Sequence, residues 1–349
     1  MEKDTPVLTA GVIGAGWVAT ARHIPALKRD GRVRLAAIYD KDPRRAQAVA
    51  DRFEIPVATS DMDRLFAAAS DFVSICTPPT THAPLTLQAL DAGRHVLVEK
   101  PMAMSLAEAK SMVAAATKAG KRLCVCHNLL YARSVRKAMD HLRDAGPVQH
   151  VIATQLSSPR RRLPTWYGAL PGGLFFDESP HILYLLRRIL GDFKVDDVRA
   201  RFEAGDDNAI DFLEARLSSA NASASLTMAF NAPVSEWGLT IIATRKIVSI
   251  NLFRDIVTVS ESDGRHGPSE VLLGSMGVAL QAAAGFVTSG ALYATNRLLY
   301  GHERLISAFV DSILGGPSAV SLDDSLAVVK STQDILAKVA RRRPAKAVA

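Results

Sequence analysis

A short apolar run from Val7 to Ile13, broken only by Thr9, leads directly into Gly14-x-Gly16-x-x-Ala19 and then into a helical pattern through Ile24 and Leu27. No other stretch restricts the fold as much. A buried strand that turns at once into a helix needs a permissive backbone at the turn, which Gly14 supplies. Gly16 lets the main chain approach a ligand with no Cβ in the way, and Ala19 lets helix and strand pack closely. The N–H groups at the helix start, in the turn that carries Trp17 and Val18, suit a pyrophosphate. A second strand, Val33 to Tyr39, ends on Asp40, 21 residues beyond Ala19, where an acid hydrogen-bonds the ribose of a bound dinucleotide.

Strand and helix patterns then alternate. Helices are expected over Pro43 to Phe53, Met62 to Ala69 and Leu106 to Ala119, and strands over Asp71 to Cys76, His95 to Pro101 (ending in a charged pair and a proline) and Arg122 to Cys126. Thr77-Pro78-Pro79 stops the Asp71 strand, Thr80 or Thr81 offers an N-cap, and Gly93 closes the helix that reaches Ala92. Such alternation marks a parallel, doubly wound sheet. Ligands bind there at the carboxyl ends of strands, where Gly14, Asp40, Thr77 and Lys100 all fall.

Beyond a helix from Ser134 to Asp144 the period changes to two. Seven strands follow: Gln149 to Leu156, Val198 to Glu203, Phe212 to Leu217, Ala224 to Phe230, Leu239 to Ala243, Lys246 to Asn251 and Ile256 to Ser260. Their alternation predicts a largely antiparallel sheet with one wet face, interrupted by a helix around Gly172 to Leu190. The expected fold class is α/β: a Rossmann doubly wound parallel sheet over residues 1–130, then an α+β domain with a large, mostly antiparallel sheet over 131–349. The closing helices, Leu305 to Leu314 and Leu326 to Val339, are free to return to the first domain.

Hydrophobic residues make up 48% and charged residues 22% of 349, the balance of a soluble globular chain. The net charge of +7 is dispersed, apart from Arg160 to Arg162 and Arg341 to Arg343, and no aromatics interleave with it, so nucleic acid is not the expected partner. Three cysteines, and no apolar run of signal-peptide length before the first strand, point to a reducing cytoplasm. Neither His-x-x-x-His nor zinc-spaced cysteines occur, so no metal is expected.

Between Glu270 and Arg297 no residue is charged. Ser275, Gln281, Thr288 and four glycines argue against an integral membrane span. If helical, the stretch carries an apolar stripe (Met276, Leu280, Ala283, Val287) and a small-residue ridge (Gly277, Gln281, Gly285, Ser289), and small residues at that spacing let another backbone approach. The expectation is packing against a partner subunit, in a homo-oligomer that is a dimer or tetramer.

These pieces together resemble the Gfo/Idh/MocA family of nicotinamide-dependent oxidoreductases. The resemblance is carried by Gly14-x-Gly16-x-x-Ala19 with His23, Asp40 with Asp42, Thr77-Pro78 with His82, Gly93-x-His95-Val96 into Glu99-Lys100-Pro101, Gly172-Gly173-x-x-x-Asp177-x-x-x-His181, and Val320-Ser321. It implies a hydride transfer between NAD(H) and a secondary hydroxyl or keto group of a sugar, nucleotide sugar or cyclitol. Lys100, Asp177 and His181 would be catalytic, Lys100 touching both cofactor and substrate. The cofactor set would be Gly14, Gly16, Trp17, Val18, Asp40, Thr77, Pro78, His82, Glu99 and Lys100. NAD is favoured by Asp40, with NADP left open by Arg44 and Arg45. Trp166, Tyr167 and the Arg160–Arg162 run, Arg161 included, are candidates to line the substrate pocket.

Two alternatives stand beside this: an enzyme that retains its NAD and oxidises substrate transiently, or a non-catalytic nucleotide or sugar sensor. One departure from the family pattern is Ser179-Pro180. Either one helix continues through Pro180, or a new one restarts at Ser179 and separates Asp177 from His181.

Overall fold

The computed structural model describes residues 7–161, 163, 165–203, 206, 208–262, 264–295 and 297–342. Arg162, Asn296 and Arg343 lie outside them. The chain forms two compact units, Met1–Asn128 with Gly301–Val329, and Leu129–Tyr300 with Lys330–Ala349. The first unit runs to Asn128 and takes in residues 301–329, which include the closing helix over Leu305 to Leu314 that the sequence leaves free to return.

In the first unit the order is β1 (Leu8–Ile13), α1 (Ile24–Arg29), β2 (Val33–Tyr39), α2 (Pro43–Phe53), β3 (Val57–Thr59), α3 (Met62–Ala68), β4 (Phe72–Ile75), α4 (His82–Asp91), β5 (His95–Val98), α5 (Leu106–Ala119) and β6 (Leu123–Val125). The strands form one parallel sheet in the order β3-β2-β1-β4-β5-β6. Val12, Ile13, Phe72, Val73, Leu97 and Val98 are wholly buried, which is why these strands read as continuous apolar runs. The order reverses between β1 and β4, so the crevice of a doubly wound sheet opens beside Gly14. Gly14 has φ +98°, and a Cβ there would lie 2.9 Å from the Cys76 carbonyl oxygen.

The first helix differs from expectation. A π-helical turn, Ala19–His23, precedes α1 and leaves His23 wholly buried. Asp42 caps α2 through its carboxylate, with Pro43 at the first helical position. Thr81 precedes α4 without capping it; its hydroxyl donates instead to Thr77 Oγ1 and to the Pro78 carbonyl.

The second unit contains α6 (Arg133–Leu142), β7 (Val148–Leu156), α7 (Leu174–Leu190), β8 (Phe193–Phe202), β9 (Ile210–Ser219), β10 (Ser223–Ala229), β11 (Glu236–Ala243), β12 (Lys246–Asn251), β13 (Ile256–Glu261) and α8 (Pro268–Ala294). Its seven strands run β13-β12-β11-β7-β10-β9-β8, antiparallel except for the β7–β10 pair. β10 and β11 alternate buried and half-buried residues along their length, as the period of two requires. α7 packs over β7, β9 and β10.

The uncharged stretch is α8, and it covers the free edge of the sheet at β13. Gln281 accepts from Val259 N at 2.7 Å and donates to Val259 O at 3.1 Å, occupying groups that an edge strand leaves open. Gly285 lies over Ile256, where a Cβ would come within 2.9 Å of Cγ2. Ser289 donates to the Asp255 carbonyl, and Arg133 donates to both Ser289 and Asp255. The small-residue ridge, expected to meet a partner's backbone, is therefore used by the chain's own sheet.

The closing helices are α9 (His302–Ile313) and α10 (Leu322–Arg342), the latter crossing the boundary at Val329. α9 joins the first unit through Phe309, edge-on to Phe72 with centroids 5.6 Å apart, and through Arg32, which bonds both Ser307 and Asp311.

Candidate functional site

Around Gly14 the first unit builds a polar ring at its strand ends. Asp40 is buried and accepts from Ala15 N at 2.9 Å and from Asp42 N at 3.0 Å, so it braces the glycine loop from the end of β2. Arg45 approaches Asp40 to 3.6 Å. Beyond Gly16 the space is open: a Cβ there would meet nothing within 4 Å. Trp17 is half exposed and Val18 half-buried. A loop whose backbone faces open space at the start of a helical segment fits a dinucleotide phosphate.

Thr77 and Pro78 follow β4 and are half-buried. His82 ties this loop to the next, with Nε2 2.8 Å from the Thr77 carbonyl and Nδ1 2.7 Å from the Pro101 carbonyl. Burial lowers its pKa against the pull of those two carbonyls. His82 is itself buried, so it positions the loop rather than reaching a ligand. The Lys100–Pro101 peptide is cis.

Glu99 is also buried and turned inward. Its Oε1 lies 2.7 Å from His23 Nε2 and 3.8 Å from His302 Nε2, while Oε2 accepts from Lys100 N at 3.1 Å. His23 Nδ1 meets Ser74 Oγ at 2.7 Å. Burial alone would favour neutral His23, but contacts with Cys76, Cys126 and Glu99 outweigh it and raise His23 well above the usual histidine value. Burial would likewise raise Glu99, yet His23 and His302 hold it well below the usual carboxylate range. His23, Glu99, Cys126 and His302 bring their donor atoms within 4.8 Å of one another, a set able to hold a metal ion. The direct His23–Glu99 bond already satisfies both charges. The sequence reading of metal sites missed this group because it rested on close spacing.

In the second unit, Gly172 and Gly173 start α7. Gly172 has φ +76°, and a Cβ there would come to 3.0 Å from Leu336 and 3.1 Å from Ile210. α7 runs continuously from Leu174 to Leu190 with Pro180 inside it, so the restart considered above does not occur. Asp177 and His181 are thus one turn apart on a single face. From Gly172 to Leu186 they are the only two residues not buried.

Aromatic groups fix the His181 ring. Nδ1 is 2.9 Å from Tyr184 Oη, which also accepts from Leu129 N at 3.1 Å. The Trp237 ring lies 5.3 Å from the His181 ring, centroid to centroid. Beneath the pair, the buried Glu178 accepts from Ser157 Oγ at 2.8 Å and Gln155 Nε2 at 3.1 Å, and pairs with Arg161. Arg161, expected to face substrate, is thereby engaged by the protein itself; Asp177 adds a second negative charge near it. Trp166 and Tyr167 lie half-buried at a short 3₁₀ turn. Glu178 carries no motif signature; its only sign in the sequence is an acid on an otherwise apolar helix face.

Residues 8–127 match the family described as "Oxidoreductase family, NAD-binding Rossmann fold". Among curated proteins the chain is similar to the D-glucoside 3-dehydrogenase of Escherichia coli, with 30% identity over 55% of this chain and 57% of the relative. It is similar also to the inositol 2-dehydrogenase of Rhizobium meliloti, with 32% identity over 52% of this chain and 54% of the relative. The alignments span about half the length of such relatives. Across the whole fold it resembles the WlbA dehydrogenase of Bordetella pertussis, solved with NADH and UDP-GlcNAcA, at TM-score 0.80 and 19% identity over 96% of each chain. Over residues 8–127, this chain thus matches the NAD-binding Rossmann domain of the Gfo/Idh/MocA family of oxidoreductases.

Proposed function

We propose that the protein is a dehydrogenase or reductase that interconverts a secondary hydroxyl and a keto group on a sugar, nucleotide sugar or cyclitol, with NAD as the favoured cofactor and NADP the alternative. The observation that carries this is on α7, where Asp177 and His181 are the only two residues from Gly172 to Leu186 that are not buried. The glycine loop and Asp40 support the cofactor assignment, and the names of the sugar- and inositol-oxidising relatives support the substrate class. Three free, buried cysteines support a reducing, cytoplasmic setting. We read the enzyme as a homo-oligomer, a dimer or tetramer.

Gly14, Gly16, Trp17, Val18, Thr77 and Pro78 would hold the cofactor, with Asp40 bracing the loop beneath the adenosine side. Bound there, it supplies the acceptor or donor of hydride at the carbon. The chain's own part concerns the oxygen. His181 takes the hydroxyl proton at Nε2, a role a neutral imidazole fills near neutral pH. For that, Nδ1 must carry the other proton and donate it to Tyr184 Oη. The Lys100 ammonium stabilises developing alkoxide, and Asp177 orients the sugar through its neighbouring hydroxyls. Glu99 and His82 fix the main chain on either side of Lys100.

Initial rates on a panel of sugars, nucleotide sugars and cyclitols, with NAD and with NADP, test the reading. Lys100→Ala and His181→Ala should each lower kcat about a hundredfold on the best substrate. Near-normal kcat in both variants would overturn the assignment.

A further inference from the structure

α8 is held along one side and bare along the other. Of its 27 residues only Ser289 is buried. The face opposite β13 carries Leu272, Leu273, Met276, Leu280, Phe286 and Val287, each between 51% and 69% exposed. Tyr293 on its flank is 73% exposed. The exposed polar residues Ser275 and Thr288 fall at the margins of this stripe by helical period, and no charge interrupts it.

Seven large apolar side chains at this exposure present on the order of 800 Å², the area each partner contributes to a standard protein interface. A monomer seldom leaves that much contiguous apolar surface to water. Phe286 and Tyr293 are of the type that anchors interfaces. Lipid fits less well. A helix lying on a membrane carries lysine and arginine on its polar face, whereas α8 has neither, and its Gln281 and Ser289 are occupied by β13 and Arg133. Spanning a bilayer would require α8 to leave β13 and expose the strand edge that Gln281 satisfies. A charge-free stripe also holds no code for a dissimilar partner, while apolar surface of one kind complements itself across a two-fold axis.

We propose that the outward stripe of α8 is a pairing surface for a second copy of this chain, stripe against stripe across a dyad. The proposal rests on reading the enzyme as a homo-oligomer, and goes beyond it by naming the surface.

Light scattering after chromatography of the full chain, without detergent, should show a dimer or a multiple of one. Leu280→Asp, and Leu280→Asp with Val287→Asp, should shift it to half that mass or weaken association at least tenfold, with far-UV circular dichroism and NADH binding retained. Val234→Asp, at a position exposed elsewhere in the same unit, should leave the mass unchanged. If the aspartate variants fail to fold, Leu280→Cys decides: the three native cysteines are buried, so mild oxidation should cross-link the variant through position 280. A native monomer would overturn this pairing and the homo-oligomer reading together. An oligomer indifferent to Leu280→Asp, with no cross-link from Leu280→Cys, would overturn the surface alone. Sedimentation of the native chain with phosphatidylcholine–phosphatidylglycerol vesicles, lost in Leu280→Asp, would assign the stripe to lipid and also overturn it.

Discussion

Glu99 in the first unit and Glu178 in the second are both buried carboxylates, each one residue from a proposed reactive side chain, Lys100 and Asp177. They are neutralised by different chemistry. Glu99 faces His23 and His302, whose charges depend on pH, and its second oxygen takes the Lys100 amide. Glu178 faces Arg161, which is a cation at every accessible pH, with Gln155 and Ser157 filling its other oxygen. The difference separates two jobs. The second unit holds its α7 site on a support that ignores pH, while the support under Lys100 carries a built-in proton dependence.

The largest expected effect breaks the pH-independent support. Glu178→Ala leaves the Arg161 charge partly buried and without its carboxylate, a change that costs about 3–5 kcal/mol. Urea unfolding at pH 6 and pH 8 should show the same loss at both. A loss that differs strongly between the two would place a titrating group in the Glu178 support and dissolve the contrast with Glu99.

The next effect is smaller and has a sign. His23, raised in the fold, contributes stability that is complete below the ordinary histidine value of 6.5 and lost as pH rises through its own elevated value. Glu99, lowered in the fold, contributes stability that is complete above the ordinary value of 4.5 and lost as pH falls through its own depressed value. Together they support the unit fully between those two values. Glu99→Gln should therefore cost about 2 kcal/mol near pH 6, the scale of a lost charge-assisted hydrogen bond, and progressively less above the raised His23 value. A flat pH difference between variant and native unfolding would show that the His23–Glu99 pair is not ionised.

Much of the frame beneath these sites is legible in the sequence, because it depends on local periods. Buried parallel strands give apolar runs, a one-face sheet gives alternation, and the Gly14 turn tolerates no Cβ. The supports are not legible. Glu99 meets His23 and His302 across 76 and about 200 residues, and no spacing rule reaches so far. For the same reason residues 301–329 could be left only free to return: the Phe309–Phe72 and Arg32–Asp311 contacts exist only once the sheet is folded. Pro180 left two helices or one open, and packing chose one, burying Ser179 and Pro180 within a continuous α7. The Gly277–Ser289 ridge was legible as a close-approach surface. Which backbone came close was not, since a local strand edge and a partner satisfy the same pattern.

The smallest expected effect sharpens the contrast at the catalytic candidate itself. Tyr184 Oη lies between Leu129 N and His181 Nδ1, at 3.1 and 2.9 Å. It is a positioning group, touching the ring on the side away from the proposed proton transfer at Nε2. Tyr184→Phe removes one neutral hydrogen bond and keeps the ring, so the fold should lose only about 1 kcal/mol. Its signature belongs in the rate. Without the hydroxyl, Nδ1 no longer has an oxygen to receive its proton, and the tautomer with Nε2 free is no longer favoured. The kcat of Tyr184→Phe should fall severalfold with KM little changed, and the acid limb of the kcat profile should move. If Tyr184→Phe alters only the urea midpoint and leaves the pH profile in place, Tyr184 is a packing residue and His181 owes its tautomer to something else.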